Sequence, residues 1–278
     1  MNNKICYLTI DDGPSIDFLE KKELLLEKKI PAIFFCIGKN IEERFDEVVK
    51  AVRNGFIIGN HSYSHPHFSD IPIAEAKNQI QLTDALINQV YNKAEKPRRY
   101  KWFRFPYGDK GDGKYGYVFK KFPCPKTEQK MCIQQFLYNL GYRQPSFDNI
   151  THRYYKKAAL LKDIDWHWTF DIMEWSLTME KPMSKLHNLE KILARMDMVR
   201  PADCRGLSTL EKRWMGKPDS DEIILLHDHS ATSIHFNAII DKLLSLPLQF
   251  RLPVTVCLFV SLFTLFHSAA QVANVLLC

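Results

Sequence analysis

Two carboxylates stand side by side at Asp11 and Asp12, directly after a largely apolar run over residues 5–10 and directly before Gly13-Pro14. A second apolar run, 56–59, ends just ahead of Asn60-His61-Ser62-Tyr63-Ser64-His65-Pro66-His67, which places three histidines within seven residues. Two imidazoles four positions apart converge on one cation from a single turn of helix or a tight loop, and a carboxylate supplies a third ligand. Each motif alone has a plainer reading, because Asp, Gly and Pro are common turn formers and histidines also occupy solvated turns. Together, one Asp and two His make three protein ligands with a position left for water, the layout of a catalytic rather than a structural zinc site. A cation held this way brings the pKa of its water down to about 7 and polarises a carbonyl. The other Asp of the pair, free of the metal, is placed to take the water's proton.

These groups need a frame, and the chain alternates apolar runs with amphipathic stretches. Strands are predicted over 5–10, 32–37, 56–59, 102–105, 167–172, 223–227 and 249–252. Helices are predicted over 18–29, 41–53, 73–91, 131–140, 183–198 and 234–244. The order β–α–β–α implies parallel strands joined by crossover helices, with functional groups on the loops after strand ends. Residues 108–122, rich in Gly, Asp and Lys, read as a loop. No internal repeat is present.

A chain of 278 residues suffices for one substantial core. Its net charge of +6 is dispersed, including the Lys96-Pro97-Arg98-Arg99 stretch, and no nucleic-acid-binding signature accompanies it. The seven cysteines are odd in number and follow no framework, which fits free thiols in a reducing compartment; a Cys124–Cys132 bridge is the alternative. The residues ahead of the first motif are too few for a signal peptide, so a cytoplasmic location is expected. Residues 252–278 contain no Asp, Glu, Lys or Arg, and 254–266 are almost continuously apolar. This tail is read either as a membrane segment giving membrane association or as an appended helix.

The chain resembles the polysaccharide deacetylases of the NodB-homology class, carbohydrate esterase family 4. Their first motif, T-F-D-D-G-P, stands here as Thr9-Ile10-Asp11-Asp12-Gly13-Pro14, and their H-[ST]-x-x-H as His61-Ser62-Tyr63-Ser64-His65. Their R-x-P-Y-G is Arg104-Phe105-Pro106-Tyr107-Gly108, and their L-x-H is Leu225-Leu226-His227. The resemblance implies Asp11 as catalytic base, Asp12, His61 and His65 as metal ligands, and Arg104 as the residue that orients the base. It implies the Tyr107 backbone N–H as an oxyanion donor, Leu225 as part of the acetyl pocket, and His227 as the acid that protonates the leaving amine. The fourth motif, D-x-x-D-W, departs from the family: Asp171-Ile172-Met173-Glu174-Trp175 carries Glu174 where Asp is usual, which puts that carboxylate's contact with the catalytic groups in question, while Trp175 still walls the pocket.

The implied fold is α/β, a distorted (β/α)7-type barrel with an insertion over 109–165 between the third and fourth motifs. The catalytic domain spans 1–253 and the tail 254–278. The implied cofactor is a divalent metal, Zn2+ first, with Co2+, Ni2+ or Mn2+ as alternatives. The implied reaction removes N-acetyl groups from an amino-sugar polymer or oligomer, peptidoglycan or chitin-like, releasing acetate. Alternatives are a deacylase of a small or lipid-linked sugar or acetyl ester inside the cell, and a carbohydrate-binding relative without turnover. The partner expected is a carbohydrate substrate and no nucleic acid, with membrane contact through the tail and the oligomeric state left open.

Overall fold

The computed structural model describes residues 4–115, 118–119, 127–147, 149–152, 155, 162–178, 188–197, 215 and 219–253. The apolar tail at 254–278 and parts of the 109–165 insertion lie outside them. Among the described residues, no helix is long and apolar enough to cross a membrane.

The first half runs β1 (Lys4–Gly13), α1 (Phe18–Glu27), β2 (Ala32–Cys36), α2 (Gly38–Glu43), α3 (Phe45–Arg53), β3 (Ile57–Asn60) and α4 (Ile73–Ala94). A small hairpin, β4 (Lys114–Tyr115) with β5 (Val118–Phe119), and α5 (Thr127–Asn139) follow. Then come β6 (Phe170–Asp171), α6 (Leu189–Arg195), β7 (Glu222–His227), α7 (Phe236–Leu244) and β8 (Leu248–Phe250). The main sheet is parallel, in the order β3-β2-β1-β7-β6, with β8 paired to the start of β1. Past β3, the Asn60 N–H donates to Trp102 O (2.9 Å), Arg104 N–H to Asn60 O (3.1 Å) and Trp166 N–H to Phe103 O (2.9 Å). These bonds carry the strand order toward the segment that leads into β6, as in the distorted (β/α) barrels the resemblance implies.

The central strands are buried on both faces, which is why they read as apolar runs without alternation. On the outer face Leu8, Ile10, Phe34, Ile58, Ile224 and Leu226 pack against the helices. On the inner face Tyr7, Ile33, Phe35, Ile57, Ile223 and Leu225 meet Trp102, Trp166 and Trp168. Because strand side chains alternate, the inward set continues to Asp11 and His227 at the strand ends.

Several local expectations are corrected. Residues 41–53 form two helices, not one: Arg44 leaves the helical region (φ −129, ψ 39). The first amides of α2 are taken by the histidine loop, Gly38 N–H to Ser62 O (2.9 Å) and Lys39 N–H to Tyr63 O (3.0 Å), so α2 follows that loop while α3 follows the core. Among the described residues, the strand expected over 102–105 makes only one bridge, Asn60 with Phe103, and Pro106 has no N–H with which to extend it. The strand expected over 167–172 narrows to β6. The expected loop over 108–122 includes the β4–β5 hairpin. Cys132 is a free, exposed thiol, so it makes no bridge; Cys124 lies outside the described residues.

Candidate active site

Successive side chains of a regular strand point to opposite faces, so adjacent Asp11 and Asp12 would part company. The β1–β2 register pairs Asp11 with Phe35 but Gly13 with Cys36, leaving Asp12 as the extra residue of a bulge. Asp12 also takes a left-handed backbone (φ 69), and the bulge re-aims its carboxylate toward the same cluster as Asp11. A Cβ on Gly13 would meet the Asp228 carboxylate at 2.9 Å, which explains the glycine after the bulge.

The histidines arrive from the loop after β3. Asn60 Oδ1 accepts from Ser62 N–H (2.9 Å) and Ser62 Oγ from His65 N–H (3.1 Å), while Gln79 Oε1 on α4 accepts from Tyr63 N–H (3.0 Å) and Ser64 N–H (2.8 Å). This tight loop, with Ser62 and His65 both left-handed, puts the two rings 4.9 Å apart. His61 Nδ1 lies 2.7 Å from Arg104 O; a carbonyl only accepts, so Nδ1 carries the hydrogen and Nε2 faces the carboxylates.

Asp12 Oδ1 stands 3.3 Å from His61 Nε2 and 3.1 Å from His65 Nε2, yet it is buried without a hydrogen bond. Two ring nitrogens converging with a buried carboxylate oxygen that has no proton donor aligned to it is an arrangement of three ligand atoms that a divalent cation fits. Burial works against the charge on Asp12, but His229, His61 and His65 outweigh it and hold the carboxyl well below its usual range. Burial likewise works against protonating His61, and Asp11 and Asp12 raise it nonetheless; for His65 burial prevails and lowers it.

Asp11 is held from the inner face. Arg104, with no exposed surface, donates from Nη1 to Asp11 Oδ1 (2.7 Å) and Thr9 Oγ1 (2.7 Å), and from Nε to the Trp166 carbonyl. Its guanidinium lies 4.4 Å over the Phe35 ring and 5.7 Å from that of Trp168. Asp11 Oδ2 is 3.6 Å from His61 Nε2, beside the ligand triad.

A second cluster joins Asp171, Glu174 and His227. His227 pairs with Asp11 across the β1–β7 register. Burial would lower its imidazole, but the Glu174 carboxylate, then Asp12 and Asp171, raise it to about 10. Asp171 accepts from Met173 N–H (2.8 Å) and Trp175 Nε1–H (3.4 Å). Leu225 is buried on the inner face two residues before His227. Tyr107 adopts a left-handed backbone (φ 57, ψ 8) and its half-exposed ring stacks on His67 at 3.8 Å and meets His65 at 4.5 Å. His67, the third histidine of the run, thus belongs to that stack, with Nδ1 3.9 Å from Asp109 Oδ2.

Two residues escaped the sequence reading. Asp228 accepts from Ser15 N–H (2.8 Å), Ser15 Oγ–H (2.7 Å) and Lys21 Nζ (2.7 Å), pinning the loop after the bulge. His229 puts Nε2 2.7 Å from Asp12 Oδ2. The only signal was their place directly after the strand that ends in His227.

Residues 1–121 match the family model described as polysaccharide deacetylase. A peptidoglycan-N-acetylglucosamine deacetylase of Bacillus cereus is 33% identical over 148 residues, 52% of this chain and 49% of that protein. A chitooligosaccharide deacetylase of Sinorhizobium fredii is 31% identical over 103 residues, 37% of this chain and 46% of that protein. The chain thus spans about half the length of these curated relatives. Among solved structures, the peptidoglycan deacetylase PdaC from Bacillus subtilis aligns with a TM-score of 0.52 at 21% identity, over 98% of this chain and 94% of that one. A family 4 carbohydrate esterase from Streptomyces lividans, in complex with acetate, aligns at 0.55 and 17%, over 92% and 99%. At such identities these structures speak for the fold. The matched segment contains the bulge, the histidine loop and Arg104, and over that segment the chain is similar to the polysaccharide deacetylases.

Proposed function

We propose that the protein hydrolyses the acetamide of an N-acetylated amino sugar, in a polymer or oligomer of the peptidoglycan or chitin-like kind, to acetate and a free amine. The observation that carries this reading is the placement of a base, Asp11, beside the Asp12–His61–His65 triad and across one strand pair from a proton donor, His227. Asp12, His61 and His65 hold a divalent cation, zinc first among candidates for a His2Asp set. Such a cation supplies Lewis acidity toward the amide carbonyl and the attacking water.

Asp11 takes one proton from water as its oxygen bonds to the carbonyl carbon. Arg104 holds the Asp11 carboxylate in place through its Nη1 hydrogen bond, and the Tyr107 N–H donates to the developing oxyanion. The C–N bond then breaks, and His227 gives its proton to the departing nitrogen, which would otherwise leave as a strongly basic amide anion. Glu174 holds the His227 ring, and Leu225 and Trp175 border the acetyl group. The catalytic unit runs 1–253, with 254–278 appended, and a chain ending at Pro253 is expected to keep its turnover.

The test is acetate release from N-acetylglucosamine oligomers together with the metal content of the purified protein. Release should stop with a chelator and return with a divalent ion; a rate that ignores the chelator would sink the metal-dependent reading. Comparing amide and ester substrates separates the polymer deacetylase from an acetyl-ester hydrolase.

A further inference from the structure

Asp12 divides its two oxygens between different partners. Oδ1 faces His61 and His65, while Oδ2 lies 2.7 Å from His229 Nε2. A carboxylate oxygen only accepts, so His229 donates from Nε2. The ring is fixed from several sides. Its preceding residue, Asp228, is bound through its side chain to Ser15 and Lys21, and its N–H donates to Asp11 O (2.8 Å). The His229 carbonyl accepts from Lys21 Nζ (3.1 Å) and Thr232 N–H (3.3 Å), and the His229 ring stacks on His227 at 5.2 Å with planes 26° apart.

We propose that His229 is a positioning residue for the cation: by occupying Oδ2 it makes Asp12 present Oδ1 alone to the ion shared with His61 and His65. This rests on the metal reading above. An untethered carboxylate can rotate or grip an ion with both oxygens, and the second oxygen would take the coordination position that water needs. A partner that binds the outer oxygen removes that freedom before the ion arrives. Loss of such partners commonly weakens metal binding by about 10–100-fold.

The experiment titrates metal-stripped full-length protein with Zn2+ in competition with a chromophoric chelator. His229→Ala should weaken Zn2+ binding by about 10–100-fold. His229→Gln, whose side-chain amide N–H replaces the donor, should restore affinity to within a few-fold of wild type. Equal affinity in His229→Ala and wild type overturns the proposal, and so does an equal loss in both variants, which would mark a merely structural role. A wild-type chain that takes up no Zn2+ would instead bring down the metal reading itself, and this inference with it.

Discussion

Oε1 of Glu174 is bonded to His227 twice, accepting from its backbone N–H at 2.5 Å and from its Nδ1 at 2.9 Å. The glutamate that stands where the family usually has aspartate therefore does not lose the histidine; its side chain reaches both donors at once. One oxygen fixes the ring's position and favours its charged form. Glu174→Gln removes the charge and keeps the shape. The His227 imidazole should then fall from about 10 toward the ordinary 6.5, since burial opposes its protonation. The alkaline limb of kcat/KM should move down by at least about one pH unit, a shift worth roughly 1.4 kcal/mol per unit. A pH–rate profile reads this directly, and an unmoved limb would remove His227 as the acid.

The same pair predicts how stability depends on pH. The folded-state value for His227 lies above its unfolded one, so its contribution is full below about 6.5 and drains away as pH rises through about 10. Urea midpoints at pH 6.5 and pH 10 should differ more for the wild type than for Glu174→Gln.

Arg104 and Asp11 form a buried ion pair at 2.7 Å. Arg104→Met keeps the bulk against Phe35 but leaves the Asp11 carboxylate without its cation, and breaking such a pair costs about 3–5 kcal/mol. The variant should unfold at lower urea and lose turnover. Adding Asp11→Asn should recover part of the stability and none of the activity, a double-mutant cycle that separates folding from catalysis.

Gly59 is set by the ring that carries Arg104. A Cβ there would lie 2.5 Å from Phe35 Cδ1 and 2.6 Å from Cε1. Gly59→Ala should cost about 1–3 kcal/mol by overpacking. By pushing Phe35 it should also lower kcat while leaving Zn2+ affinity unchanged. A variant with wild-type melting temperature and kcat would show that the ring has room to yield.

The residues that could be read from the sequence were those whose chemistry sits in contiguous motifs on strand ends: Asp11, Asp12, His61, His65, Arg104 and His227. What brings Asp12 round to the histidines is a bulge with a left-handed residue, and no periodicity announces that. His67 ends the same run with no role that its spacing suggests, and only three-dimensional packing assigns its ring to Tyr107. Asp228 and His229 act on residues more than two hundred positions away, through side chains whose types alone suggest nothing. The helix broken at Arg44 was equally hidden, because the apolar spacing of Ile41, Val48, Val49 and Val52 continues across the break.

β1 lies between β2 and β7, and this has a consequence for how the protein can be divided. The segment 1–121 that carries the family match includes only the first of those two neighbours. Severed there, residues 6–11 would offer one flank of unpaired backbone to any passing strand, and Asp11 would lie beside no His227. The stretch that carries the likeness is thus not a unit of folding: the chain must return from far downstream to close it.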